Sequence, residues 1–384
     1  MVASISEEHV GEPTRFVRAC VRLPHPRLGQ DDFFRAFTEL LERYEPSVII
    51  PISDEHLVCA GLLRPRFAGR VTFACPPPDI VDRVLDKRKT REIARQLSIT
   101  VPREIPIPDR NHFESYNHLA FPLLAKMADK NQQFGNTGLD LISNVTHIPD
   151  AATLREHADS DPEFFDNNVL QAYLPGNDVM LAVLMHDRNL IAAFQIRSLR
   201  THPFTGGVTT FARTEPVNEE LRESAVRLLR ALEWEGIAQI DFRHDTSSGR
   251  FVLLEVNGRF WGCTAAAVQA GMDFPYWVWQ CMHEAQPVVP QTYRTDLYSR
   301  WTAADLKRLL LYWKNPAMGW GSKLRETGLT LLAFRPGVRE MIWDWADPRP
   351  AWRELREDLR YSIQNQYHKL RRRLHSPSPD GPAR

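Results

Sequence analysis

Residues able to act on a phosphate group are concentrated between 236 and 259. One apolar, alternating run, GIAQIDFRH, carries Asp241, and the returning run FVLLEVNGR places Glu255, Asn257 and Arg259 at every second position. A strand sends every second side chain to the same face, so these three share a side. The intervening DTSSG has turn composition, and pairing of the two runs brings Asp241 beside Glu255 and Asn257. Two carboxylates and an amide oxygen are hard donors suited to magnesium held together with phosphate. The guanidinium of Arg259 could then face a transferred phosphoryl group. A solvated sheet face carries the same residue types, so spacing alone leaves both readings open.

Elements on either side must position that hairpin. EELRESAVRLLRALE, at 219–233, has helical periodicity and leads into it. Further upstream, residues 31–46 place Phe34, Phe37, Leu40 and Leu41 near one helical face before Pro46 ends the helix. Strand-like SVII and VTFA follow at 47–50 and 71–74. A proline-rich turn after Cys75 joins a charged amphipathic helix containing DKRKT, which sets a boundary near residue 80. Between 119 and 215, short apolar runs separated by glycines and polar turns predict hairpins in a mixed sheet. Beyond 290 the chain becomes helical and aromatic.

With 384 residues and 43% of them hydrophobic, the chain can bury two or three domains. Its 48 basic and 48 acidic side chains argue against a generally basic nucleic-acid binder. Five scattered cysteines without a CxxC pair fit neither a disulfide framework nor a structural zinc site, and they predict a cytoplasmic protein. No apolar stretch is long enough to span a membrane.

DKRKT at 86–90, FPLLAKM at 121–127, LQAYLPG at 170–176 and LLEVNGRFWG at 253–262 occur in the order found in the ATP-grasp superfamily. The chain resembles that superfamily, especially its carboxylate-amine ligase branch, over about residues 45–280. The resemblance implies an α/β (α+β) ATP-grasp fold. Its divisions would be a shortened N-terminal α/β domain (1–80), a central lobe (81–170), a C-terminal ATP-grasp lobe (171–290) and a helical extension with a tail (291–384).

The same resemblance implies roles for individual residues. Lys87 and Lys126 would approach the nucleotide phosphates. Gln171, Ala172, Tyr173 and Leu174 would form the hinge that holds adenine, and Asp178 would accept from the ribose hydroxyls. ADKNQQFGNTG, with Gly135 and Gly138, would close over the phosphates. Asp241, Glu255 and Asn257 match magnesium-binding positions, and Arg259 matches an arginine that steadies the acyl-phosphate transition state. Arg197 is expected in catalysis and, with Arg200, Gly206, Gly207 and Arg213, at the acceptor substrate.

The implied activity is ATP-dependent carboxylate-amine ligation through an acyl phosphate, with ATP and Mg2+, or Mn2+, required. The alternative is a noncatalytic ATP-binding regulatory or assembly protein of the same fold. Small carboxylates and amines, including amino acids or peptides, are the expected partners, with no nucleic acid. A homodimer is compatible with the sequence, as is peripheral membrane contact through the basic tail run Lys369, Arg371, Arg372 and Arg373.

Overall fold

The computed structural model describes all residues except 6–13, 27, 107–117, 128–144, 205, 247, 284, 358–359 and 361–384. The closing loop with Gly135 and Gly138 and the basic tail run both lie outside the described residues. The chain divides into one unit of residues 1–40 and 342–384 and another of residues 41–341.

In the first unit, β1 (Val2–Ser4) pairs in parallel with β2 (Cys20–Arg22). The helix α1 (Gln30–Tyr44) begins here and buries Phe33, Phe34 and Phe37. Asp347 accepts from Thr14 Oγ1 at 2.5 Å and from the Arg15 amide at 2.7 Å, tying the first residues to the C-terminal segment.

The second unit opens with β3 (Val48–Ile49), α2 (Asp54–Phe67) and β4 (Thr72–Phe73), the two strands running parallel. Ser53 starts α2 by accepting from the His56 amide at 3.2 Å, satisfying one of the donors that a helix start leaves open. Next come α3 (Pro78–Leu85) and α4 (Lys87–Gln96). Asp86 caps α4 through the Arg88 amide at 2.9 Å, which sets Lys87 at the helix start.

A three-stranded antiparallel sheet follows, built from β5 (Leu123–Met127), β6 (Val145–Ile148) and β7 (Asn168–Ala172), with β5 central. Between β6 and β7 lie α5 (Ala151–Ser160) and α6 (Phe164–Asn167), a helical stretch inside the region read as hairpins. Leu154, Phe164 and Phe165 pack there against Leu123 and Leu170, and that burial favours helix over strand.

The large sheet contains β8 (Asn177–His186), β9 (Asn189–His202) and β10 (Val208–Glu215). After α7 (Glu219–Ala231) it continues with β11 (Gly236–His244) and β12 (Phe251–Asn257), the predicted hairpin. Beyond α8 (Thr264–Gln269) and α9 (Phe274–Met282) come β13 (Tyr298–Arg300), α10 (Thr302–Lys314), α11 (Trp320–Leu332) and β14 (Val338–Glu340). The strand order is β12-β11-β8-β9-β10-β13-β14, antiparallel except for the last pair.

One face of this sheet holds the core. Val179, Leu181 and Val183 of β8 and Ala238, Ile240 and Phe242 of β11 pack against Leu221, Ala225, Leu228 and Leu229 of α7. Each buried leucine contributes roughly 2 kcal/mol of transfer free energy. The other face is apolar and buried at Met180, Ala182, Phe194 and Ile196 and turns polar at Gln239 and Asp241 of β11. Gly258, just after β12, passes so close to Trp234 that a Cβ there would lie 2.2 Å from the ring.

Candidate active site

Strand register assembles the site. Asp241 lies opposite Glu255 and Gln239 lies opposite Asn257. Because registered neighbours share a face, the four side chains form a polar block on the side opposite α7. Asn257 Nδ2 donates to Asp241 Oδ2 at 3.1 Å and to Glu255 Oε1 at 3.2 Å, and Gln239 Nε2 donates to Asp241 Oδ1 at 2.5 Å. Gln239 and Asn257 are buried, whereas Glu255 keeps 27% of its side chain exposed, enough to meet a ligand.

Two lysines supply the opposing charge. Lys87 Nζ lies 3.2 Å from Glu255 Oε2, and because β12 is the sheet's edge strand, the start of α4 can reach that carboxylate. Lys126 sits on β5 opposite Val169 of β7 and is buried. Burial pushes its pKa down from 10.5 to about 8, against the attraction of Glu255 and with added repulsion from Lys87 and Arg91. A buried cluster of cations is a site for an anion.

Arg91, buried on α4, fixes the neighbouring hinge. With its carboxamide oxygen turned toward the guanidinium, Gln171 accepts from Arg91 Nη2 at 2.6 Å and from Nη1 at 2.9 Å. Glu104 also accepts from Arg91, at 3.3 Å. The Ala172 amide donates to Arg103 O at 3.1 Å and the Tyr173 amide to Pro122 O at 3.2 Å. Leu174 then leads through the turn at Gly176, where φ is +140° and a Cβ would lie 2.0 Å from His244 O. Only glycine fits so close to another backbone. Beyond that turn Asp178 accepts from Arg243 Nη1 at 2.7 Å, and burial raises the Asp178 pKa despite Arg243 and Lys126.

Arg259 leaves the hairpin toward α2. Its Nε donates to Asp54 Oδ1 at 3.1 Å, its Nη1 to Phe260 O at 3.0 Å and its Nη2 to Asn257 Oδ1 at 3.4 Å. Asp54 was not singled out in the sequence, although its place directly after the Ser53 cap marks a helix start. Gln239, two residues before Asp241, was missed although its spacing puts it on the same face.

The predicted acceptor arginines fall elsewhere. Asp241 opposes Met180 and Met180 opposes Ile196, so Arg197, next along β9, projects from the reverse face. Arg213 opposes Arg197 and shares that reverse face. Both donate to Glu215, Arg197 Nε at 2.6 Å and Arg213 Nη2 at 2.8 Å. Burial pushes the Glu215 pKa up, but these bonds outweigh it and hold the carboxyl below its usual range. The structure therefore does not bring Arg197 and Arg213 to the hairpin carboxylates.

Arg200 lines a cleft of about 510 Å³ with Tyr173, Asp178, Ser198, Gly206 and Arg243. Its guanidinium clasps the buried Asp305 at 2.8 and 2.5 Å and donates to Leu329 O at 3.2 Å. Gly207 has φ +150°, and a Cβ there would lie 2.5 Å from His202 O. Another cavity, about 630 Å³ and lined by Ala192, Val217, Met272 and Tyr293, includes none of the hairpin carboxylates.

Among the described residues no group of three or more His, Cys, Asp or Glu side chains could hold a metal. A resident cation would depend on Asp241, Glu255 and the Asn257 amide oxygen, an all-oxygen set appropriate to Mg2+ with phosphate oxygens completing its shell. It would supply the positive charge that Lys87 now offers Glu255, and the Asn257 amide, whose Nδ2 now faces both carboxylates, would turn to present its oxygen.

Residues 164–303 match a family model described as ATP-grasp in the biosynthetic pathway with Ter operon. A D-alanine–D-alanine ligase from Caulobacter is 24% identical over 184 residues, covering 45% of this chain and 55% of that protein. Its counterpart from Lactobacillus gasseri is 24% identical over 244 residues, covering 57% and 64%. The chain thus spans little more than half to about two thirds of the length of these curated relatives. A solved structure of Campylobacter jejuni biotin carboxylase in complex with β-γ-ATP superposes with TM-score 0.57 at 13% identity, covering 77% of this chain and 67% of that one. The sequence match and the shared architecture relate the chain to the ATP-grasp superfamily, whose fold it has.

Proposed function

We propose that the chain is an ATP-dependent carboxylate-amine ligase that makes an amide or peptide bond through an acyl phosphate. The observation that carries this reading is the convergence of Asp241, Glu255 and Asn257 with the cations Lys87 and Lys126 across the sheet edge. Support also comes from the D-alanine–D-alanine ligases among its relatives and from the biosynthetic setting in the description of the matching family.

Lys126 and Lys87 would meet the phosphates of ATP, which relieves their mutual repulsion. The hinge at Gln171–Leu174 would take the base, and Asp178 the ribose. Mg2+ held by Asp241, Glu255 and Asn257 would offset charge on the phosphate oxygens. A substrate carboxylate oxygen attacks the terminal phosphorus and the bond to ADP breaks, with Arg259 beside the transferred group. The amine nitrogen then attacks the acyl carbon and loses a proton, and inorganic phosphate leaves.

Phosphate release measured with pooled carboxylic acids and amines, together with mass spectrometry of the products, tests this reading. Acceptor-stimulated release that yields an amide and disappears in Arg259→Ala is expected. ATP binding without stimulation by any pool would instead make the chain a nucleotide-binding protein without ligase activity.

A further inference from the structure

The hairpin of α10 and α11 has its polarity reversed. Ordinary surface helices bury leucine and expose charge, yet here the buried residues are Ala304, Asp305, Arg308 and Thr330, with no leucine among them. Asp305 holds Arg200 and accepts from Arg308 Nε at 3.2 Å, while Arg308 Nη1 donates to Glu326 at 3.0 Å and Nη2 to Thr330 at 3.3 Å. Trp313 Nε1 donates to Thr327 at 2.9 Å across the same seam. The apolar residues are left outside: Leu306, Leu310, Trp320, Leu324, Leu331 and Leu332 are 46%, 54%, 74%, 62%, 63% and 66% exposed. Scattered exposed leucines need no explanation, but a run of them on two adjoining helices does.

The charges around this surface have one sign. Lys307, Lys314, Arg325, Arg335 and Arg339 are exposed. The three acidic side chains of residues 302–340 are engaged internally, Asp305 and Glu326 with Arg308 and Glu340 with Thr302. A two-fold contact with a second copy would set these cations against themselves. Residues 361–384 carry Lys369, Arg371, Arg372, Arg373 and Arg384 against Asp380, so the tail has the wrong charge to be the complement. An apolar stripe flanked by lysine and arginine, with a tryptophan at one end, matches the headgroup boundary of an anionic bilayer.

We propose that the α10–α11 hairpin is a peripheral docking surface for anionic membrane lipid, independent of the basic tail. No helix among the described residues is long and apolar enough to cross a membrane, so the contact lies in the interface plane. The site takes a lipid surface, with the leucines entering the acyl boundary and the cations pairing with lipid phosphates.

Flotation of the full chain with vesicles of phosphatidylcholine alone, or mixed with phosphatidylglycerol, tests this. Binding to the mixed vesicles, weakened by salt, is expected. Leu310→Glu/Leu331→Glu should reduce it by roughly tenfold or more, and Lys314→Glu/Arg325→Glu should reduce it on the mixed vesicles. All four positions are exposed, and retained ATP binding reports an intact fold. A chain ending at residue 360 should still float. Failure of the full chain to float overturns the proposal. So does flotation that is lost on removing the tail and kept by the leucine variant, or a dimer in light scattering that the leucine variant splits.

Discussion

Asn257 Nδ2 spans the two carboxylates of the hairpin, 3.1 Å from Asp241 and 3.2 Å from Glu255. This fixes the spacing of both acids before a cation arrives. Glu255→Gln and Asp241→Asn keep the size of each side chain but remove a charge. Each variant should lose Mn2+ binding in the presence of ADP, measured by titration calorimetry, and should lower kcat by about 100-fold or more. Glu255→Gln should also lower thermal stability, because it withdraws the counter-charge of the buried Lys87 and Lys126.

Lys126 gives a pH prediction with a defined sign. Its pKa, lowered from 10.5 to about 8, means that the native state resists protonation more than the unfolded chain does. Between those values the unfolded chain binds more protons, so this group makes stability rise with pH across the window. Below about pH 8 the cost, roughly 3 kcal/mol, is present in full. Lys126→Met should therefore raise the melting temperature of the nucleotide-free protein at pH 7 while weakening ATP binding by roughly tenfold or more. The wild-type protein should take up a proton on binding ATP near pH 8.5, read from calorimetry in buffers of different ionisation enthalpy.

Arg259 and Asp54 should separate chemistry from positioning. Arg259→Ala is expected to lower kcat by roughly 100-fold with KM for ATP nearly unchanged, because its guanidinium would face charge that develops in transfer. Asp54→Asn leaves that guanidinium in place but loosens the 3.1 Å contact. Its kcat loss should be smaller, about tenfold.

The Arg200–Asp305 pair is expected to behave as a structural element. Asp305 is 1% exposed, and removing Arg200 withdraws its bidentate partner. Arg200→Ala should destabilise the protein by about 3 kcal/mol in denaturant unfolding, tempered by Arg308, which also contacts Asp305.

Much of this arrangement was legible in the sequence. Period-two spacing of Glu255 and Asn257 and the turn at DTSSG located the hairpin, and Asp241 does lie opposite Glu255, whereas Arg259, read on the same strand, lies beyond the end of β12. What alternation within one strand could not show was the parity between strands. Arg197 and Arg213 are close to the site in sequence order, yet β9 pairs with β8 in a register that turns them to the reverse face. The α5–α6 region lies among short apolar runs separated by glycines and polar turns and so reads with them as hairpins, and its helix is settled by packing of Leu154 and Phe164. The reversed polarity of α10 was hidden because leucines at helical spacing are ordinarily read as core.

Transfer of oxygen from the acid to phosphate tests the central claim most directly. With pooled carboxylic acids labelled with 18O in the carboxyl group, plus ATP and pooled amines, each turnover through an acyl phosphate leaves one labelled oxygen in the released phosphate. The account predicts labelled phosphate in equal amount to amide product, both lost in Glu255→Gln. Unlabelled phosphate, with ATP consumed and no amide formed, would contradict it.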